Sequence, residues 1–165
     1  MKHPRRIAPG PGQESVWDYP RPPRLERVDL RLRIEHAGQL IADAPSGWRV
    51  LETSHPPVYY LAPDAFAPGV MQPSERSSFC EFKGRARYFD LLLGEIVVRD
   101  VAWAYPRPTC AFEPIANHLA VYASRVDAAF VGSERVQAQA GDFYGGWITA
   151  NIVGPFKGAS GTWGW

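Results

Sequence analysis

Two short polar segments carry the side chains best suited to chemistry. The first holds Glu52, His55 and Tyr60 around Pro56 and Pro57. A carboxylate and an imidazole this close together favour acid–base catalysis, in which either group moves a proton, and the tyrosine adds a hydrogen-bonding hydroxyl. Because the prolines stiffen the backbone and force His55 into an extended conformation, this corner is suited to hold a site.

The second segment, residues 80–88, contributes a thiol and three basic groups. Lys83 and Arg85 flank Gly84, where the backbone can approach a carboxylate or phosphate, and nearby cations would activate Cys80 as a thiolate. We predict that both segments line one pocket for a small polar or anionic molecule, with apolar walls from two aromatic residues. The predicted ligand-binding residues are Arg49, Tyr60, Cys80, Lys83, Arg85, Tyr88, Trp103 and Tyr105, and the hypothetical catalytic residues are Glu52 and His55.

Each of these residues also has a purely structural interpretation. Glu52 follows two apolar residues in a strand, which also suits a surface carboxylate or the buried partner of Arg49, Arg85 or Arg87. The histidine can cap backbone groups in a turn, the cysteine can be a buried apolar filler, and the basic segment can be a solvated turn. Tyr60 and its neighbour in sequence point to opposite faces of a strand, so only one of them can share a pocket with the acid–base pair.

Composition bounds the class of protein. The 165 residues suffice for one domain, and a chain of this size buries roughly 70% of its unfolded surface. The net charge of +1 creates no overall field for nucleic acid or an anionic membrane, so we expect neither as a partner. Cys80 and Cys110 lie far apart, which favours a reducing cytoplasm and provides no paired zinc ligands. We therefore expect no metal and no cofactor, and a homo-oligomer is compatible with the sequence.

Short alternating segments separated by glycine and proline predict a mostly β fold. Residues 28–35 alternate apolar and charged side chains, which predicts one strand with a single buried face. A helical turn is predicted at residues 63–66. We expect a single small antiparallel β-barrel or sandwich with little helix. Further strands are predicted at residues 48–52, 58–61, 77–82, 86–93, 96–103, 119–122 and 128–131.

The ends of the chain have a different composition from the centre. Residues 1–14 hold prolines and glycines where a signal peptide would have an apolar core, which predicts a flexible N-terminal tail. We assign residues 15–165 to the single β-rich domain, with extended arms at both ends. Within it, residues 141–165 combine glycines with aromatic residues, and we expect this segment to wrap over the barrel and roof the pocket.

Five motifs spread over nearly the whole chain resemble those of the bacterial and fungal domain of unknown function 427 (DUF427). They occupy residues 15–23, 51–60, 80–84, 102–106 and 143–149. The resemblance implies a small barrel-like fold similar to the Mss4 or β-tent architecture, with no established activity. A nucleotidyltransferase-like label sometimes attached to the family has no counterpart in this sequence, which lacks a glycine-serine loop followed by paired metal-binding carboxylates.

Two classes of function fit these observations. The first is a small-molecule-binding domain with a polar pocket, which is also a candidate for an undescribed acid–base enzyme. The alternative is a non-catalytic module for protein–protein interaction or assembly that uses its aromatic terminal arms, residues 17–19 and 161–165. A pocket requires the polar segments to converge, whereas a docking module requires an exposed apolar patch of several hundred Å².

Overall fold

The computed structural model describes residues 4–165 and is mostly β, as the sequence predicts. Short 3-10 turns lie at Val16–Asp18, Pro63–Ala65, Cys110–Ile115 and Ala123–Arg125. Within residues 4–165, no helix has the length and apolar character needed to cross a bilayer. The strands are β1 (Glu14–Ser15), β2 (Arg24–Val28), β3 (Leu32–His36), β4 (Gln39–Ala44), β5 (Gly47–Leu51), β6 (Val58–Tyr60), β7 (Met71–Cys80), β8 (Gly84–Leu93), β9 (Ile96–Ala104), β10 (Leu119–Val121), β11 (Ala128–Val131), β12 (Glu134–Arg135), β13 (Gln137–Ala138), β14 (Trp147–Ile148) and β15 (Ile152–Val153).

The strands of residues 4–165 pair into five sheets. Two are four-stranded and antiparallel, with orders β10-β9-β8-β7 and β12-β11-β3-β4, and a third has the order β2-β5-β6. The pairs β13-β14 and β1-β15 complete the set, the latter parallel. A bridge between Leu61 and Leu119 joins the three-stranded sheet to the first four-stranded one. Across the described residues these pairings form no closed barrel, so the prediction is confirmed at the level of a mostly β fold.

The prediction of a single strand over residues 28–35 is wrong. The chain forms β2 up to Val28 and β3 from Leu32, and the two strands belong to different sheets. Leu30, at the corner between them, is 53% exposed. Arg31 in the same corner pairs with Asp43 through two hydrogen bonds of 2.8 and 2.7 Å. Alternation of apolar and charged residues continues through the corner, so the pattern alone cannot locate the change of sheet.

The apolar core divides into two main clusters. The larger is mostly aliphatic and surrounds Trp147, which is fully buried, stacks on Tyr59 at 5.3 Å and donates from Nε1 to Val121 O at 2.9 Å. The second is mostly aromatic and contains Tyr60. Tyr59 and Tyr60 enter different clusters because consecutive strand residues point to opposite faces. The aromatic cluster is the one that surrounds the candidate site.

Both terminal segments contact the body of the protein and each other. The backbone N–H of Ile7 donates to Gly154 O at 3.1 Å. Trp17 donates from Nε1 to Pro155 O at 2.9 Å, and its ring lies 5.6 Å from that of Trp165. Residues 1–3 of the predicted flexible tail lie outside the described residues, and the flexibility of the tail stays a prediction.

Candidate functional site

A cavity of about 200 Å³ lies between the β2-β5-β6 sheet and strands β7 to β9, and residues 143–145 form one wall. A recess of about 150 Å³ accommodates benzene, so this one has room for a small ring with substituents. The lining residues are Val50, Glu52, His55, Pro56, Val58, Tyr60, Ser78, Phe79, Cys80, Lys83, Tyr88, Trp103, Tyr105, Tyr122, Phe143, Tyr144 and Gly145.

Strand register explains how the aromatic wall forms. Tyr88 on β8 lies directly opposite Trp103 on β9, so both side chains point to the same face of the sheet. Tyr105 follows two residues after Trp103 and reaches the same side. Tyr88 Oη lies 3.0 Å from Ser78 Oγ on the edge strand β7, which satisfies that hydroxyl.

Two other tyrosine hydroxyls facing the cavity keep a proton without an acceptor among residues 4–165. Burial raises the pKa of Tyr60, and the neighbouring Trp103 side chain opposes this rise only in part. Because an indole N–H can only donate, Trp103 cannot accept the proton of Tyr60. Burial also raises the pKa of Tyr105, whose hydroxyl makes no hydrogen bond with another described residue. Both phenols are therefore neutral donors at physiological pH.

Glu52 and His55 meet in a tight turn that follows β5. The backbone N–H of His55 donates to Glu52 O at 3.0 Å. This turn brings His55 Nε2 to 3.7 Å from Glu52 Oε2, which is too far for a hydrogen bond. Glu52 Oε2 accepts from Arg21 Nη2 at 3.0 Å. Glu52 is thus the partner of an arginine, as one interpretation of the sequence requires, although that arginine is Arg21 and not Arg49, Arg85 or Arg87. Its carboxylate is also half-buried against the cavity.

Ser54, at the centre of this turn, combines two unfavourable features. Its φ is 71°, in the left-handed region, and its Oγ is the buried side-chain oxygen without a partner in the described chain. We expect Ser54→Gly to raise the free energy of unfolding by about 1 kcal/mol, because glycine tolerates this φ and removes the unpaired hydroxyl. Urea denaturation measures the change.

Ala37→Gly is the matched control for Ser54→Gly. Ala37 also has a positive φ, of 49°, but carries no hydroxyl. A gain in Ser54→Gly that does not exceed the gain in Ala37→Gly would show that the unpaired hydroxyl costs nothing.

Gln139 determines which ring nitrogen of the neutral His55 carries the proton. Its Nε2 donates to Lys157 O at 2.7 Å, and its Oε1 accepts from Gly146 N at 3.0 Å, which sets the orientation of the amide. The same Nε2 lies 3.4 Å from His55 Nδ1. Because an amide nitrogen only donates, Nδ1 is the acceptor and the ring proton lies on Nε2, towards Glu52.

The charge state of His55 follows from its surroundings. Burial lowers the pKa of His55 to about 3, with further lowering by the positive charges of Lys157, Arg21 and Lys83. The ring is therefore neutral at physiological pH and acts as a donor through Nε2. Among the residues that the structure describes, Glu52 is the one carboxylate that lines the cavity.

Lys83 supplies positive charge to the cavity from the turn between β7 and β8. Its Nζ lies 5.7 Å from the ring centroid of Tyr105 and 5.8 Å from that of Phe112, within the range of cation–π attraction. Cys80, at the end of β7, is partly buried and also lines the cavity. In residues 4–165, no group of three or more histidine, cysteine or carboxylate side chains is placed to hold a metal.

Two of the predicted ligand-binding residues lie elsewhere. Arg49 faces away from the cavity, with Nη1 2.7 Å from Glu14 Oε1 and Nη2 2.6 Å from Glu26 Oε1, since the next residue in β5 faces inward. Arg85 is exposed on the outer side of β8 and lines a separate groove. The other predicted residues all line the cavity: Glu52, His55, Tyr60, Cys80, Lys83, Tyr88, Trp103 and Tyr105. Their roles remain predictions.

Sequence reasoning missed several residues of the site. Tyr122 lines the cavity and donates from Oη to Phe143 O at 2.9 Å, which ties β10 to the segment at 143–145. The ring of Tyr144 lies 4.6 Å from that of His55, edge to face. Tyr144 belongs to the glycine- and aromatic-rich segment expected to roof the pocket, which is the signal available for it. No feature of the sequence marks Gln139 as part of the site, because its partners come together only in the tertiary structure.

The fold and the site define a mostly β protein with an aromatic cavity between two sheets. The chain belongs to the family described as a domain of unknown function (DUF427), whose model matches residues 24–132, and the resemblance seen in the sequence is confirmed. No curated protein matches the chain. Gln139 and the wall at residues 143–145 lie beyond the matched region, so family membership covers the sheets around the cavity but not this wall.

Proposed function

We propose that the protein binds a small polar molecule with a planar ring in this cavity. The observation that carries the proposal is the pair of hydroxyls on Tyr60 and Tyr105, which face the cavity with protons that no described residue accepts. A hydroxyl that lines a recess and has no partner in the protein is free to donate to an acceptor atom placed there. A ligand with acceptor atoms on one edge of its ring can accept from both hydroxyls.

The other lining groups narrow the ligand further. The aromatic side chains of Trp103, Tyr122 and Tyr144 in the lining offer apolar contact to a ring. Glu52 accepts a hydrogen bond from an amide, amine or hydroxyl on the ligand, and the ammonium of Lys83 favours an anionic substituent. In a catalytic version of this proposal, Glu52 takes a proton from the ligand while Lys83 stabilises the negative charge that develops.

We also propose the Mss4-like, β-tent arrangement for the fold as a whole. The support is a pair of four-stranded antiparallel sheets with a smaller sheet joined to one of them through the bridge between Leu61 and Leu119.

Thermal-shift screening against a metabolite library tests the binding proposal. We expect a ligand to stabilise the wild type by several degrees, since saturation at 100 times Kd contributes about 2.7 kcal/mol. Tyr60→Phe should bind that ligand about tenfold more weakly, because it loses one hydrogen bond to a buried group. Glu52→Gln should weaken binding by a similar factor. Titration calorimetry on the hit gives the affinities.

Two variants serve as matched controls. Tyr59→Phe removes the hydroxyl of the adjacent tyrosine, which belongs to the other core cluster. Glu26→Gln removes a carboxylate that pairs with Arg49 away from the cavity. Both should bind the ligand as tightly as wild type. Loss of affinity in Tyr59→Phe equal to that in Tyr60→Phe, or no ligand from a broad library, would contradict the proposal.

The interaction module remains the second candidate, supported by one observation. Trp163, in the C-terminal arm, is 75% exposed and leaves a large apolar side chain open to a partner. The other terminal aromatic residues weigh against it, since Trp17 packs against Trp165. A partner-dependent change in Trp163 fluorescence together with a negative ligand screen would favour this candidate.

A further inference from the structure

A groove of about 470 Å³ on the outer side of β7 and β8 is lined by four arginines. These residues are Arg76, Arg85, Arg87 and Arg107, and Glu75 is the one acidic residue in the lining. The whole chain has a net charge of +1. Positive charge is therefore concentrated at the groove, because the protein as a whole is nearly neutral.

The fold brings these arginines together from three places. Arg85 and Arg87 are two residues apart on β8 and point outward, because Ala86 and Tyr88 between and beside them are buried. Arg107 lies in the segment after β9, which is held against the β7–β8 turn by a hydrogen bond from Thr109 N to Lys83 O at 3.1 Å.

A break in strand pairing places the fourth arginine. The register of β7 against β8 shifts between Pro73 and Ser77, and Arg76 lies in this bulge. Its guanidinium lies 4.4 Å from the Tyr88 ring centroid and 3.8 Å from Asp100. The guanidinium of Arg76 is thus engaged on the Tyr88 side of β8, so the charge available to a ligand in the groove comes from the other three arginines.

The other three arginines lack partners of their own. Arg85, Arg87 and Arg107 make no ion pair or side-chain hydrogen bond with another residue in the described part of the chain. Every other arginine from Arg6 onward makes at least one. Apart from Arg5 near the N-terminus, the arginines without such a partner in the described part of the chain all lie at this groove. Neighbouring like charges repel, and a ligand with several negative charges would relieve that repulsion.

We propose that this groove binds a compact polyanion with at least three negative charges, of the kind an oligophosphate chain presents. Guanidinium forks match phosphate and carboxylate oxygens in pairs, which accounts for arginine in the three unpaired positions. The proposal is independent of the aromatic cavity, because the two recesses share no lining residue.

Titration calorimetry with inorganic tripolyphosphate at low salt tests the proposal. We expect binding that weakens as ionic strength rises, and a loss of about tenfold in affinity for Arg85→Gln and for Arg87→Gln. Without tripolyphosphate, both variants should be as stable as the wild type or slightly more so, since each removes an unpaired like charge. Arg135→Gln is the matched control, because Arg135 is exposed on β12 and donates to Asp127 O at 2.7 Å. It should bind tripolyphosphate as the wild type does.

Two further ligands test whether the groove prefers phosphate groups, carboxylates or nucleic acid. Citrate presents three carboxylates, and binding of citrate as tight as that of tripolyphosphate would support the polyanion site without a preference for phosphate. A single-stranded oligonucleotide that binds more tightly than tripolyphosphate, through the same arginines, would overturn the proposal in favour of nucleic acid. Absence of binding at low salt, or equal losses in Arg87→Gln and Arg135→Gln, would overturn it as well.

Discussion

Replacing Trp147 with alanine should lower the free energy of unfolding by about 3–5 kcal/mol. Trp147 is fully buried at the centre of the larger core cluster and stacks on Tyr59. Its removal leaves a cavity that the surrounding strands cannot fill. It also leaves Val121 O without the indole donor at 2.9 Å, which adds the cost of an unpaired buried carbonyl.

The same substitution should disturb the wall of the candidate site. Trp147 N donates to Pro57 O at 2.8 Å, and the neighbouring Gly146 donates to Gln139, the residue that orients His55. These bonds are made by the backbone, and the buried Trp147 side chain holds that backbone in place, so its loss should loosen the segment at 143–145 against the corner that holds Glu52 and His55. We expect Trp147→Ala to lower the affinity of the cavity for any ligand as well as the stability of the fold.

Chemical denaturation followed by circular dichroism measures the loss. Trp163→Ala is the control of the same residue type, and we expect a change within about 0.5 kcal/mol because Trp163 is 75% exposed. A loss below about 1 kcal/mol in Trp147→Ala would contradict the assignment of this side chain to the centre of the core. If Trp147→Ala does not fold, Trp147→Phe offers a milder change for the same comparison.

The second large effect is a loss of stability in mild acid that depends on His55. Burial lowers the pKa of His55 to about 3 in the folded protein, against an ordinary value of 6.5. Between these values the unfolded chain binds a proton that the folded protein does not. The contribution of His55 is therefore complete above pH 6.5 and is lost as pH falls. The loss approaches about 1.4 kcal/mol per pH unit and reaches about 2 kcal/mol between pH 8 and pH 5.

Urea denaturation at intervals from pH 8 to pH 5 measures this slope. Ordinary carboxylates protonate mainly below about pH 4.5, so they contribute little in this window. His55→Gln should flatten the slope by about 2 kcal/mol over the range, whatever its stability at pH 8. His118→Gln, at a half-buried histidine outside the cavity, is the control of the same residue type, and a slope flattened as much in it as in His55→Gln would contradict the assignment of the slope to His55. An identical slope in wild type and His55→Gln would disprove a neutral, buried His55.

The sequence allowed the mostly β fold and most of its strands to be predicted. Residues 48–52, 58–61, 86–93 and 96–103 correspond to β5, β6, β8 and β9 with shifts of one to two residues. These strands could be predicted because apolar alternation and turn residues act locally. The corner at 29–31 could not be predicted, since the apolar pattern persists through it and only the packing of Leu32 in another sheet reveals the break.

For the candidate site, the sequence alone determined which chemical groups are near one another along the chain. It placed Glu52 three residues from His55, and it put Tyr59 and Tyr60 on opposite faces, because strand periodicity is a local property. It also contained the motifs of the family to which the chain belongs.

Only the tertiary structure decided which of these groups share a recess. Arg49 and Arg85 have the same charge as Lys83, yet one pairs with Glu14 and Glu26, the other faces an outer groove, and only Lys83 reaches the cavity. The position of the proton on the His55 ring likewise depends on Gln139, 84 residues away in sequence. Burial and pairing depend on contacts between distant segments, and the spacing of residues along one chain does not specify them.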